Sequence, residues 1–174
     1  MKTILKAMMI TSLCAACTPS NDNVADDFEY TDERFADLQM LRYKVDGFDD
    51  LTLKQKTFIY YLQEAALWGR DILWDQNGKY NLRIRHILET IYQADGIDRS
   101  TADWQAFETY VKRVWFSHGI HHHYASDKFE PGFATSWWDA AVAAVRGKLQ
   151  VTDAELAELK EVIFNPAVMP KSVN

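Results

Sequence analysis

Four of the five histidines in the chain lie within six residues, at His118, His121, His122 and His123. Imidazole is the commonest protein ligand for transition metals, and it gains or loses its proton near neutral pH. The cluster allows three interpretations: a metal site, a site that transfers protons, or a polar loop whose histidines hydrogen-bond against neighbouring aromatic residues. Each interpretation requires different partners elsewhere in the chain.

A zinc site needs three or four ligands that converge on one point. The adjacent residues 121–123 point in different directions in any regular structure, so at most two of them can share a metal ion. Asp127 and Glu130 could add oxygen ligands, but no H-E-x-x-H or comparable spacing is present. A proton-transfer site would need a carboxylate or hydroxyl partner that spacing alone does not identify. The spacing therefore favours the polar loop over the other two.

The composition is typical of a soluble globular protein. The chain has 174 residues, of which 48% are hydrophobic and 25% are charged, which is enough material for one domain with a core. The formal net charge is −6, and no extended basic cluster is present. A nucleic-acid partner is therefore not expected, because such proteins concentrate Lys and Arg on one surface.

The first residues resemble a bacterial lipoprotein signal. Lys2 and Lys6 precede a short apolar segment that ends in Cys14-Ala15-Ala16-Cys17. We expect residues 1–16 to be removed as a signal peptide, and Cys17 to be lipidated so that it attaches the protein to a membrane of the bacterial cell envelope. Ordinary secretory cleavage, with a periplasmic product, is the alternative. Residues 17–30 are polar and acidic and are predicted to form a flexible tether.

Both cysteines lie in this leader, so the rest of the chain can form neither a disulfide nor a thiolate-ligated zinc site. Beyond the tether, apolar spacing predicts mainly helices. Two of them begin with capping boxes, Thr52 to Gln55 and Thr152 to Glu155. The stretch near 118–133 is expected to be irregular or extended, since Gly119 ends a helix and Pro131 disfavours one. The predicted helices span 31–43, 52–77, 79–92, 100–118, 136–146 and 152–163.

Several blocks of the sequence resemble the N-terminal region of the dipeptidyl peptidase III family, most closely its Bacteroides-type members. They are FADLQMLRY at 35–43, AALWGRDI at 65–72, DQNGKYNLRIR at 75–85, and the whole stretch 114–133. The resemblance covers nearly everything after the tether. It implies a zinc exopeptidase that releases dipeptides from the N-termini of peptides, built from two lobes around a wide cleft.

In that family, zinc is bound by the histidines of an H-E-x-x-G-H helix and by a glutamate of an E-E-x-R/K-x-E/D helix. Neither motif occurs here, and no histidine is followed by glutamate. The resemblance thus implies that residues 31–174 form a partial domain, the helical beginning of the lower, substrate-binding lobe of a two-lobed α+β metallopeptidase. We expect neither catalytic residues nor metal ligands in this chain, and no activity without the catalytic lobe as its partner. Zinc is expected only in a full-length member.

The resemblance also places the stretch 121–129 at the border of the cleft that receives the peptide substrate. Tyr124 matches an aromatic residue that lines this subsite, and we take it, together with His121, His122 and His123, as candidate substrate-binding residues. The alternative for Tyr124 is a core aromatic packed on Trp115 or Phe129. The alternative for the whole protein is a stand-alone helical envelope lipoprotein that binds a peptide or a metal through its histidine-rich loop.

Overall fold

Helices dominate residues 27–172, the part of the chain that the computed structural model describes. The prediction of a mainly α fold is confirmed. The predicted signal peptide, the lipidation site Cys17 and the first part of the tether lie outside the described residues. The elements are β1 (Thr31–Phe35), β2 (Leu38–Leu41), α1 (Leu53–Trp68), α2 (Arg70–Gln76), α3 (Asn81–Tyr92), α4 (Ala102–Ser117), α5 (Thr135–Val145), a short 3-10 helix (Arg146–Lys148) and α6 (Asp153–Phe164).

The helix predicted over 31–43 is wrong, because these residues form the antiparallel hairpin β1–β2. Phe35 pairs with Leu38 across a two-residue turn in which Ala36 adopts a left-handed φ of 50°. A short polar helix is marginal on its own, so tertiary contacts decide the outcome. Here they favour the hairpin: Glu33 pairs with Lys112 of α4, and Asp37 pairs with the neighbouring Arg113.

The single helix predicted over 52–77 is also wrong, since the chain forms two helices that meet at Gly69. The predicted start is confirmed: the Thr52 side chain accepts from the Gln55 amide, and the Gln55 side chain accepts from the Thr52 amide. Glycine lowers helix stability at an interior position, which makes Gly69 a natural break in an apolar pattern that otherwise continues.

The core lies between α3, α4, α5 and α6. Ile84, Leu88 and Ile91 of α3 and Phe107 and Val111 of α4 are fully buried in it. The Thr101 hydroxyl accepts from the Trp104 amide and so caps α4, as a serine or threonine commonly does at a helix start. Aromatic rings of α4, α5 and the connecting loop extend the core, with Phe107, Phe133 and Trp137 in mutual contact.

Helix α6 closes the core on one side. It begins with the predicted capping box, in which the Thr152 hydroxyl accepts from the Glu155 amide and the Glu155 carboxylate accepts from the Thr152 amide. Leu159, Val162 and Ile163 are buried from this helix. The following residues, 165–172, contact residues 121–128 and so bring a second segment to the histidines.

Helix α1 stands apart from this core. It contains no buried residue, although eight of its sixteen residues are large and apolar or aromatic. No helix within residues 27–172 has the length and apolar character needed to cross a bilayer.

Candidate functional site

The histidine cluster begins where α4 ends. His118 caps the helix in the left-handed conformation, with φ at 51°, and the Gly119 amide donates to the Val114 carbonyl. Glycine usually occupies the left-handed position. Here Gly119 is instead required one residue later, because a Cβ atom there would lie 2.4 Å from the side-chain nitrogen of Asn81. The chain therefore leaves α4 directly against the start of α3.

Residues 119–129, which we call the histidine loop, form a tight hairpin-like turn. The His122 amide donates to the Asp127 carbonyl at 2.7 Å, and the Ser126 amide donates to the His122 carbonyl at 2.9 Å. The Nδ1 atom of His122 accepts from the amides of Tyr124 and Ala125. A ring nitrogen that accepts carries no proton, so the neutral His122 ring holds its proton on Nε2. The predicted irregular stretch is confirmed, and its own side chains stabilise it.

The structure separates the four candidate substrate-binding residues. His121 is 6% exposed, and its Nε2 lies 2.8 Å from the Met169 carbonyl oxygen. His122 is half-buried, and His123 is exposed. Tyr124 is 88% exposed, so it is not a core aromatic packed on Trp115 or Phe129. Three of the four side chains reach the surface, and His121 faces the interior.

The exposed rings form one aromatic surface at the tip of the loop. The Tyr124 ring lies 4.3 Å from the His123 ring, centre to centre, and the His123 ring stacks on His122 at 4.7 Å. On the other side, Phe116 meets the edge of His123 at 5.0 Å. Such a surface can receive an apolar or aromatic side chain of a peptide, with the Tyr124 hydroxyl as a polar group.

A small polar cavity of about 120 Å³ lies behind the loop. Two buried atoms beside it have no hydrogen-bond partner among the described residues: Nδ2 of Asn81 and Nδ1 of His121. Because the His121 Nε2 donates to a carbonyl oxygen, its Nδ1 is an acceptor, whereas the Asn81 nitrogen is a donor. The cavity is lined by Asn77, Asn81, Ser117, Gly119, residues 121–123 and Ser172.

The loop does not fit a zinc centre. Within residues 27–172 no group of three or more His, Asp or Glu side chains is arranged to hold a metal ion. Asp127, considered above as an oxygen ligand, instead pairs with Lys171 at 2.8 Å. This hydrogen bond and the positive charge of Lys171 lower the pKa of the Asp127 carboxyl group. One ring nitrogen of each loop histidine hydrogen-bonds within the protein: His121 Nε2 with the Met169 carbonyl oxygen, His122 Nδ1 with two main-chain amides, and His123 Nδ1 with the Ser117 hydroxyl.

His118 belongs to a different environment from the other three. Its ring lies 5.7 Å from the Trp74 ring, in a pocket that also contains Arg70 and Arg85. Burial is the largest effect on this imidazole, and the two arginines act in the same direction, so the pKa of His118 is lowered. His118 therefore stays neutral to lower pH than an exposed histidine would.

Several residues that shape the loop carry no sequence signal. Lys128 looks like an ordinary surface lysine, yet its Nζ donates to the carbonyl oxygens of Val162, Asn165 and Val168. Asn81 accepts from the Ile120 amide through its side-chain oxygen. Both contacts join positions more than thirty residues apart, so local pattern does not reveal them.

No protein-family model matches the chain. No curated protein is significantly similar to it.

Proposed function

We propose that this chain is part of the peptide-binding lobe of a zinc dipeptidyl peptidase of the dipeptidyl peptidase III type. In this proposal the histidine loop borders the substrate cleft, and the Tyr124 ring contacts a side chain near the N-terminus of the peptide. The sequence blocks described above suggest the family. The observation that carries the proposal is the 88% exposure of Tyr124 on an ordered aromatic surface.

That exposure is informative because the Tyr124 ring continues the contiguous surface formed by His122 and His123, and contiguous exposed patches mark binding sites more often than single exposed side chains do. The loop stabilises its own conformation through the His122 ring and the main-chain hydrogen bonds. Tyr124 is thus held outward before any ligand arrives, and ordering the loop costs little free energy on binding. A peptide-binding residue benefits from such preorganisation.

Helix α1 provides independent support for a second lobe. Its apolar residues occupy all sides of the helix, and Phe58, Tyr61 and Trp68 are 64%, 65% and 88% exposed. A helix that is apolar all round belongs in the core of a larger protein, whereas a helix that pairs with one partner shows a single apolar stripe. We propose that the catalytic lobe packs against α1 and covers these apolar residues.

The zinc chemistry belongs to that catalytic lobe in this proposal. The family's zinc-binding motifs are not among these 174 residues, and the described residues do not fit a metal centre. The role proposed for this chain is therefore to bind and orient the peptide. Attachment to the cell envelope through Cys17 is part of the same proposal.

The test is a titration of the full chain with the tetrapeptide Ala-Phe-Ala-Ala, followed by NMR of the backbone amides. We expect shifts concentrated at residues 122–124, and weaker binding when Tyr124 is replaced by Ala. Tyr60→Ala is the matched control, because Tyr60 is also exposed but lies on α1. Equal affinity for all three proteins, or no binding by any of them, would contradict the proposal.

A further inference from the structure

We propose that Lys128 is a positioning residue, which holds the histidine loop to the 165–172 segment and so sets the direction in which Tyr124 is presented. The role of Tyr124 in peptide binding rests on the function proposed above. The claim that Lys128 holds the loop in place does not depend on that function, because it is argued only from the contacts between residues. The Lys128 ammonium group contacts main-chain carbonyl oxygens of residues 162–168.

The first observation is the environment of the Lys128 ammonium group. Its Nζ lies 3.0 Å from the Val162 carbonyl oxygen, 2.5 Å from that of Asn165 and 2.6 Å from that of Val168. The last carbonyl groups of a helix lack partners within the helix, and a cation is favourable there. Lys128 thus supplies all three of its N–H donors to the end of α6 and the segment that follows.

The second observation is a row of contacts between the same segment and the loop. The Lys128 amide donates to the Pro170 carbonyl, and the Ser172 amide donates to the Ser126 carbonyl. The His121 ring meets the Met169 carbonyl oxygen, at a residue with a left-handed φ of 52°. The Met169 backbone therefore adopts an unusual conformation where its carbonyl group meets the loop.

These contacts lie on both sides of Tyr124 along the loop. His121 and Lys128 pair with each other as an antiparallel bridge, and Asp127 pairs with Lys171 in a second bridge. Both ends of the turn that carries Tyr124 are consequently held by the 165–172 segment. The orientation of the aromatic surface depends on a segment more than forty residues away.

The charge of Lys128 is partly shielded from water. Burial lowers the pKa of its ammonium group, and the Glu130 carboxylate opposes this effect. The carbonyl oxygens replace water as partners of a partly buried cation. Removing the ammonium group would therefore leave the Val162 and Val168 oxygens without this donor, whereas the Asn165 oxygen still accepts from the Val168 amide. The resulting loss of stability would be concentrated where the 165–172 segment contacts the histidine loop.

Hydrogen exchange of the full chain tests the connection. In Lys128→Met we expect the amides of 120–130 and 165–172 to exchange faster by on the order of tenfold, because hydrogen bonds to a charged group are among the stronger ones. Amides of α3 and α4 should be unchanged. Lys160→Met is the matched control, since it removes an ammonium group from α6 that pairs with Asp139. Unchanged loop exchange in Lys128→Met, or an equal rise in the control, would overturn the proposal.

Removal of residues 166–174 tests the same contact from the other side. We expect it to raise exchange in 120–130 to a similar extent. Lys128→Met introduced into the shortened chain should then add less than it adds to the full chain, because only the Val162 and Asn165 carbonyl oxygens remain as partners of its ammonium group. Two changes that act on one contact are not additive, whereas independent changes are. A rise in loop exchange as large as in the full chain would show that Lys128 does not act through the 166–172 segment, even if the variants were less stable overall.

Peptide binding tests the consequence for Tyr124. The probe is the peptide Ala-Phe-Ala-Ala. Lys128→Met should weaken its binding when introduced into the wild-type chain, but should have no effect on binding when introduced into a chain that already carries Tyr124→Ala. A purely structural effect would weaken both equally, and this result would overturn the positioning role. If no protein binds the probe, the proposed function fails, while the exchange experiments still decide whether Lys128 holds the loop.

Discussion

Replacing Phe58, Tyr61 and Trp68 of α1 by serine removes three large side chains that are 64%, 65% and 88% exposed. Aromatic side chains bury about 150–250 Å² each when fully covered, so these three offer roughly 400–450 Å² to a partner. At about 25 cal/mol per Å², covering them would contribute on the order of 10 kcal/mol. Association itself costs roughly 4–15 kcal/mol, so we expect the chain alone to associate weakly and in a concentration-dependent way.

Because the three side chains are mostly exposed, the triple variant should keep the unfolding free energy of the core within about 1 kcal/mol of wild type. Sedimentation velocity over a range of concentrations should show association of the wild-type chain and its loss in the variant. Chemical denaturation measures the stability. A wild-type chain that stays monomeric at all concentrations, or a variant that loses its cooperative unfolding, would refute the reasoning that α1 awaits a covering lobe.

Three further predictions concern the region around α4. Because the pKa of His118 is lowered in the folded protein, the unfolded chain binds this proton more tightly, and the unfolding free energy should fall as the pH drops below about 6.5. Asparagine tolerates the left-handed conformation, so His118→Asn should fold normally but show a smaller fall in unfolding free energy between about pH 7.5 and pH 5.5. Denaturation experiments at the two pH values measure the difference. The Tyr110 hydroxyl is buried without a partner among the described residues, so Tyr110→Phe should raise the unfolding free energy by about 1 kcal/mol. Tyr92→Phe is the control and should lower it, because the Tyr92 hydroxyl donates to the Glu108 carboxylate. A loss of stability in Tyr110→Phe would contradict this. Gly119→Ala should lower the unfolding free energy by about 1–3 kcal/mol, because the added methyl group would lie 2.4 Å from the side-chain nitrogen of Asn81. Gly147→Ala, where the space is open, serves as the control.

Local sequence patterns predict the helices well where caps and periodicity agree. Thr52, Thr101 and Thr152 each begin a helix as expected, since a hydroxyl next to three free amides is favourable regardless of tertiary context. The pattern fails at 31–43, where the same apolar spacing fits a helix and a hairpin. There the hairpin makes ion pairs to Lys112 and Arg113, which lie more than seventy residues away along the chain, and local spacing does not reveal such contacts.

The candidate site was only partly predictable. The histidine cluster and the irregular loop follow from residue type and from Gly119 and Pro131. The exposure of Tyr124 does not, because it depends on how the 165–172 segment and Lys128 hold the loop. The sequence places four histidines together, whereas packing gives His118 a half-buried environment beside Trp74 and His121 a separate, buried one.

The most direct test of the central claim is a chimera in which residues 31–172 replace the matching region of an active dipeptidyl peptidase III. The account predicts zinc-dependent release of N-terminal dipeptides by the chimera, and a KM raised by Tyr124→Ala while the zinc content stays the same. A folded, zinc-loaded chimera that releases no dipeptides, or a Tyr124→Ala variant that loses its zinc, would contradict the account.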